Sequence, residues 1–201
     1  MSSSNLLDNL IEALQVMPGV GPVGATRIAY YLLDKKRPEG LKMAEVIKES
    51  LSHISLCPHC RNYTDSEGEL CSICKSDKRR VSGSICVVET PTDVEAIESS
   101  SSYSGSYFVL HGHMSAIEHI TVEDLGLDVL AKRLDSENVE ELIIAVGQTP
   151  EGDVTASYIA AMAKKRGIKV SKIATGVPLG GDLGSVDGNT LAMSFNYRRS
   201  M

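Results

Sequence analysis

Cys57, Cys60, Cys71 and Cys74 stand as two Cys-x-x-Cys pairs separated by ten residues, a spacing that lets four thiolates converge tetrahedrally on one zinc ion. A closed shell of four sulfurs leaves no coordination position open for water or substrate. Such a site is structural and holds together a small loop-rich module that has no core of its own. Pro58, His59 and Ser72 inside the pairs are polar or turn-forming, and Gly68 lies in the loop that must fold back between them. Two disulfides, or thiols packed as small hydrophobes, are the competing readings. The polar start, Met1 to Asn5, has no secretory pattern, which favours metal over bridges and predicts one zinc per chain. His59 could replace one cysteine, but its place within a pair predicts a ring facing solvent. The fifth cysteine, Cys86, sits in the apolar run Ile85 to Val88 and reads as buried filler.

Two further patterns carry chemistry. Met17-Pro18-Gly19-Val20-Gly21-Pro22 places glycines two apart, so the backbone can turn tightly and bring amide N–H groups close to a phosphate, with the positive end of the following helix behind them. Arg27 and the run Lys35-Lys36-Arg37 would supply positive charge. A plain helix-connecting turn and a solvated basic face are the alternatives. Glu89 ends the apolar stretch Ile85 to Val88, at the sheet edge where α/β proteins site their ligands. A helix-capping or solvent-facing carboxylate would have the same sequence. His111-Gly112-His113 with His119 offers imidazoles but no acidic or cysteine residue at ligand spacing, so a surface loop rather than a metal site is expected.

The elements that must position these residues follow from periodicity. Leu6, Leu7, Leu10, Ile11 and Leu14 recur at helical spacing behind Ser4, a good N-cap. Further helices are expected from Gly24 to Leu33 and from Pro38 to Ile54. After Arg80, the short apolar runs Ser84–Val88, Tyr107–Leu110 and Leu142–Val146, with a last strand at Ile168–Ala174, alternate with helical patterns at Thr92–Glu98, Val122–Leu134 and Val154–Arg166. That alternation predicts a mostly parallel, open α/β sheet flanked by helices. The glycine-rich segment Gly176–Gly188 shows no clear period, and the chain closes with Arg198 and Arg199. The whole is a multi-part α+β chain divided as residues 1–55 (helical), 56–80 (zinc finger), 81–175 (α/β) and 176–201 (tail).

Composition narrows the partners. A chain of 201 residues with 42% hydrophobic content and no long apolar run suits a soluble, cytoplasmic protein with no membrane partner. Its net charge of −6 is unevenly spread: residues 1–80 carry 11 basic against 10 acidic side chains, residues 81–201 carry 9 against 16. DNA binding must then rest on local basic groups in the first part, with modest, salt-dependent affinity.

With these residues in view, the glycine hairpin resembles a helix-hairpin-helix motif, with Gly19, Val20, Gly21, Ala25 and Ile28 at the motif positions. Val23 stands where such hairpins often carry a lysine. Ile85-Cys86-Val87-Val88-Glu89 resembles the first motif of the topoisomerase-primase (Toprim) domain, whose catalytic members pair that glutamate with an Asp-x-Asp to hold magnesium. Gly147 and Thr149 occupy the aspartate positions, leaving Glu89 with Glu151 or Asp153 as a degenerate, partner-binding site. The order of hairpin, four-cysteine module and Toprim-like domain, with Gly105, Tyr107-Phe108-Val109-Leu110 and the tail Gly176-Val177-Pro178-Leu179-Gly180-Gly181-Asp182-Leu183 leading to Asp187, resembles the RecR family of bacterial recombination mediators. The tail resembles the family segment likened to a Walker B motif, although no phosphate-binding loop accompanies it. Family members commonly show Asn-Pro-Thr where this chain has Gly147-Gln148-Thr149. The resemblance implies no enzymatic activity. It implies instead a ring-shaped homo-tetramer that binds DNA at the nucleoid and acts with RecO, and in some settings RecF, to load RecA at single-strand gaps. A magnesium-dependent Toprim nuclease or primase-like enzyme is the alternative.

Overall fold

The computed structural model describes residues 5–174 and 176–198; Ser4, the expected cap, and Arg199 lie outside them. The chain divides into two compact units, residues 1–54 and 55–201.

The first unit contains α1 (Asn5–Leu14), α2 (Pro22–Lys35) and α3 (Arg37–His53). Proline at the first position starts α2, where its missing N–H costs nothing. Lys36 ends α2 and begins α3. The core of this unit is small: Leu14, Ala25 and Ala29 are buried, packed by Leu7, Leu10, Ile11, Val20 and Ile28. None of the residues of α3 is buried, and Leu41 and Leu51 are 65% and 81% exposed.

The second unit opens with a two-stranded antiparallel hairpin, β1 (Ser55–Leu56) and β2 (Tyr63–Thr64), followed by the short α4 (Asp77–Arg80). Then come β3 (Ser84–Val88), α5 (Pro91–Ser100), β4 (Ser106–Val109), α6 (Leu127–Ser136), β5 (Glu141–Ala145), α7 (Pro150–Lys164) and β6 (Lys169–Lys172). The sheet order is β4-β3-β5-β6 and every pairing is parallel, with Cys86 opposite Tyr107 on one side and Ile143 on the other. Helices cover both faces, which explains why β3 and β4 are apolar after their first residues, Ser84 and Ser106. Ile85, Val87, Phe108, Leu110, Leu142 and Ile144 face a core shared with Leu127, Leu130, Leu134 and Ile159. Cys86, Val88, Tyr107 and Val109 face the other, with Val94 of α5. Cys86 is 2% exposed and burial pushes its thiol up to about 12, so it is unreactive filler, as its surroundings in the sequence suggest.

Three segments differ from the periodicity: α7, expected from Val154, begins at Pro150, where Thr149 caps it, and two others follow. The helix expected from Val122 begins only at Leu127, because Asp124 draws the N–H and hydroxyl of Thr121 into a local turn and Gly126 then adopts a left-handed conformation (φ 64°). The tail, which has no evident period, contains a short 3₁₀ turn (Leu183–Ser185) and α8 (Gly188–Asn196). Here the ordering signals are caps rather than apolar spacing: Asp182 accepts from Gly184 N, and Asp187 accepts from Asn189 N and Thr190 N.

A Cβ at Gly126 would collide with the Arg61 guanidinium, in a conformation that already disfavours side chains. Gly126→Ala is expected to lower stability by about 1–2 kcal/mol, measurable as a shift of the denaturant midpoint at unchanged slope.

Candidate metal centre and Toprim cleft

The two cysteine pairs sit in matching turns. Arg61 N donates to Cys57 O at 2.9 Å and Lys75 N to Cys71 O at 3.0 Å, so each pair closes the same backbone loop and aims two sulfurs inward. All four side chains are buried and unbridged, and their sulfurs lie within 4.8 Å of one another. A tetrahedral zinc about 2.3 Å from each sulfur needs sulfurs roughly 3.8 Å apart, within small adjustments of this arrangement. Asn62 N points at Cys60 Sγ (3.4 Å), a donor that suits a thiolate. Hydrogen bonding from Cys60 holds the Cys57 thiol below its ordinary range, while hydrogen bonding with Cys57 pushes Cys60 and Cys74 above theirs. Four such groups in one buried cluster share too little room for four negative charges unless a cation joins them. The cluster is therefore a site able to hold a metal ion, and its donor set fits zinc.

The module is fastened to the sheet through the outer edge of β4, which has no further strand beside it among the described residues. Val109 N donates to Cys60 O at 2.8 Å. Arg133, 5% exposed on α6, fills the rest of the edge: it donates to Tyr107 O (2.8 Å), Ser106 Oγ (2.7 Å) and His59 O (3.3 Å), and through Nε to both oxygens of Glu137 (2.9 and 3.1 Å). His59 does not face solvent as its position predicts. Its Nδ1 lies 3.3 Å from Cys74 Sγ and its Nε2 lies 2.8 Å from Glu137 Oε1, because α6 passes beside the knuckle. Burial works to raise the Glu137 carboxyl, but the bonds from His59 and Arg133 outweigh it and hold the group below its usual range. His111 lies in the loop after β4, as expected, and is held there: Nε2 is 2.6 Å from Arg61 O and its ring stands against Tyr63. Arg79, where the chain leaves the module, makes a two-pronged contact with Glu98 (2.8 Å each), which also accepts from Tyr107.

None of Arg133, Glu137 and Glu98 stands out as a site residue in the sequence. One signal does exist, since Arg133 shares a helix with Leu127, Leu130 and Leu134 at spacings that put all four on the buried side, and a buried arginine demands partners.

Elsewhere in this unit, Glu89 and Gly147 follow β3 and β5, the adjacent strands between which the chain direction of the connections reverses. The C-terminal ends of such strands form the crevice where open α/β sheets bind ligands. A cavity of about 300 Å³ lies there, lined by residues including Glu89, Asp93, Gly147, Gln148 and Lys172. Glu89 Oε1 accepts from Gly147 N at 2.9 Å, and Oε2 is 3.9 Å from His113 Nδ1. Thr149 caps α7 by accepting from Gly152 N at 3.0 Å. Asp93 closes a capping box with Thr90, and Asp153 pairs with Lys172 at 2.8 Å. Among the described residues the four cysteines are the one group of three or more metal-ligating side chains drawn together; Glu89, Glu151 and Asp153 are not gathered into another.

In the helical unit, Gly19 has φ 80° and neither Gly19 nor Gly21 has any atom within 4 Å of a Cβ position. The turn thus leaves its backbone open, and Gly21 begins α2 without a side-chain cap. Arg27, Lys35 and Arg37 are exposed, Lys36 is bound to Glu39 at 2.6 Å, and Val23 is 86% exposed.

These features define a Toprim-type α/β domain carrying a four-cysteine module and accompanied by a helical hairpin unit. Family comparison agrees: residues 83–174 match the Toprim domain, residues 7–51 the RecR helix-hairpin-helix region, and residues 176–199 the RecR C-terminal region. Taken together, the three matches establish that the chain belongs to the RecR family. That membership supports a role in recombinational DNA repair. Among the described residues no helix is long and apolar enough to cross a membrane.

Arg133→Met takes the guanidinium from Glu137, leaves the β4 carbonyl without its donor and is expected to cost about 3 kcal/mol, read from equilibrium denaturation. Because the Glu137 carboxyl is depressed in the folded state, its contribution is present above the ordinary carboxylate value of about 4.3 and is lost as pH falls through the depressed value. Glu137→Gln should therefore narrow the stability difference between neutral and acidic solution.

Proposed function

We propose that this chain is a non-enzymatic recombination mediator: it binds DNA as a clamp-like homo-oligomer and acts with RecO, and in some settings RecF, to help load RecA at single-strand gaps. The observation that supports this most is the state of the Toprim cleft. Glu89 commits one oxygen to the Gly147 amide, and the two positions that would supply further carboxylates are a glycine and a helix-capping threonine. Holding magnesium for phosphodiester chemistry needs several oxygen anions around one point, and the two carboxylates that line this cleft, Glu89 and Asp93, are each already engaged by a backbone amide. The cleft and the nearby start of α7 are then a surface for partners, with Glu89 in the cleft and Glu151 and Asp153 in the first turn of α7 as acidic groups, suited to a basic protein such as RecO.

DNA contact falls to the helical unit. The open Gly19–Gly21 backbone and the unencumbered start of α2 suit a phosphate, and Arg27, Lys35, Lys36 and Arg37 supply charge. Val23 makes each contact weak, so repetition around a ring of four chains provides the affinity. The exposed apolar side chains of α3 and of the tail, where Leu179 and Phe195 are fully or largely exposed, supply surface for assembly. The four cysteines hold one structural zinc per chain. The protein works in the cytoplasm, at the nucleoid.

Purified protein with magnesium or manganese should leave nicked, gapped and supercoiled DNA unchanged; cleavage abolished by Glu89→Ala would overturn the reading. On gapped DNA, Arg27→Ala should lower the salt slope of binding by about one unit for each phosphate that the guanidinium neutralises, and RecO should raise affinity. Elemental analysis should find one zinc per chain, and Cys57→Ser should abolish both metal binding and the fold of the module.

A further inference from the structure

His59 lies inside the first cysteine pair, yet its ring reaches Cys74 of the second at 3.3 Å and Glu137, the residue that ends α6, at 2.8 Å. Its carbonyl accepts from Arg133 (3.3 Å), whose Nε is held by that same Glu137 (2.9 Å). Ring, carboxylate, guanidinium and carbonyl thus close a cycle that begins and ends on one residue. A sulfur bound to zinc and the Glu137 carboxylate are both acceptors, so the ring meets each with an N–H, Nδ1 to the sulfur and Nε2 to the carboxylate, as the imidazolium. Donation to sulfur disperses the excess negative charge of a four-thiolate centre, and the rest of the cycle fixes the ring so that the donor stays aimed.

Resting on the zinc reading above, we propose that His59 is a positioning residue for the metal centre: it retains Cys74 in the coordination shell and, through Glu137 and Arg133, ties that shell to the outer edge of β4. The consequence runs in both directions. Loosening the ring frees Cys74 to leave the metal, and loss of the metal releases the Cys60 carbonyl that receives Val109 N at 2.8 Å.

The test uses the full chain loaded with zinc, challenged with a chromogenic chelator, beside cadmium-loaded protein examined by NMR. His59→Ala should speed metal release by about tenfold or more and hasten hydrogen exchange at the Val109 amide. Glu137→Gln should speed release by a smaller factor, and combining it with His59→Ala should add nothing, since both break the same cycle. The cadmium protein should show scalar coupling between the metal and the His59 Nδ1 proton, a signature that a merely space-filling ring would lack. Release within about twofold of wild type in His59→Ala, or no such coupling, overturns the proposal while leaving the zinc reading standing. Wild-type chain that takes up no metal overturns both. Should His59→Ala fail to fold, the coupling in wild type and the release rate of Glu137→Gln decide.

Discussion

The outer edge of β4 has backbone groups that no neighbouring strand receives, and satisfying them organises the larger unit. Unpaired N–H and C=O groups next to a packed core cost free energy comparable to a broken hydrogen bond each, and an open edge invites pairing with other chains. Here Val109 N finds the Cys60 carbonyl, and Tyr107 O finds Arg133. A buried guanidinium is itself expensive unless every donor is placed, and Glu137, Ser106 and His59 place the remainder. The cysteine module thereby serves as the missing flank of the sheet. Its own interior is little more than four sulfurs with Leu70 and Ile73, too small to stand without a metal, and Ile73 also packs against the sheet beside Val94 and Tyr107.

A second constraint concerns carboxylates. Around the cleft and in the tail, acidic and hydroxyl side chains are engaged by backbone: Glu89 by Gly147, Asp93 by Thr90, Thr149 by Gly152, Asp182 by Gly184 and Asp187 by Asn189 and Thr190. The first ties two loops together across the cleft, and each of the others orders a helix start or a turn. The Toprim frame keeps its crevice because these caps and the close approach of Gly152 to the Gly147 carbonyl hold α7 in place. The same bonds leave little free negative charge at a point where a divalent cation would need it. The tail segment likened to a Walker B motif has a comparable explanation, since both of its aspartates are helix or turn caps.

Much of this is legible in the residues. Alternating apolar runs and helical periods mark the parallel sheet, because strands covered on both faces are apolar throughout and their connecting helices are amphipathic. The cysteine spacing marks the metal site, since a four-residue knuckle brings its two sulfurs together by local geometry alone. Apolar periodicity misleads where a turn or a cap sets the outcome. Val122 continues the helical period, but the Thr121–Asp124 turn and the left-handed Gly126, packed beneath Arg61, delay α6. α8 carries no periodic signal because its start depends on the Asp187 cap more than on apolar spacing.

His59 and Arg133 divide the two kinds of knowledge most clearly. From the order of residues alone follow the thiolate cluster, the α/β class, the absence of the paired aspartates and the concentration of basic charge in the first eighty residues, since these depend on residue type and short spacing. Which groups meet across 74 residues, as His59 and Arg133 do, depends on how helices settle on the sheet. Only the folded chain reveals that a histidine expected in water is clasped between a sulfur and a carboxylate, because burial creates the demand for partners and tertiary packing decides which ones answer it.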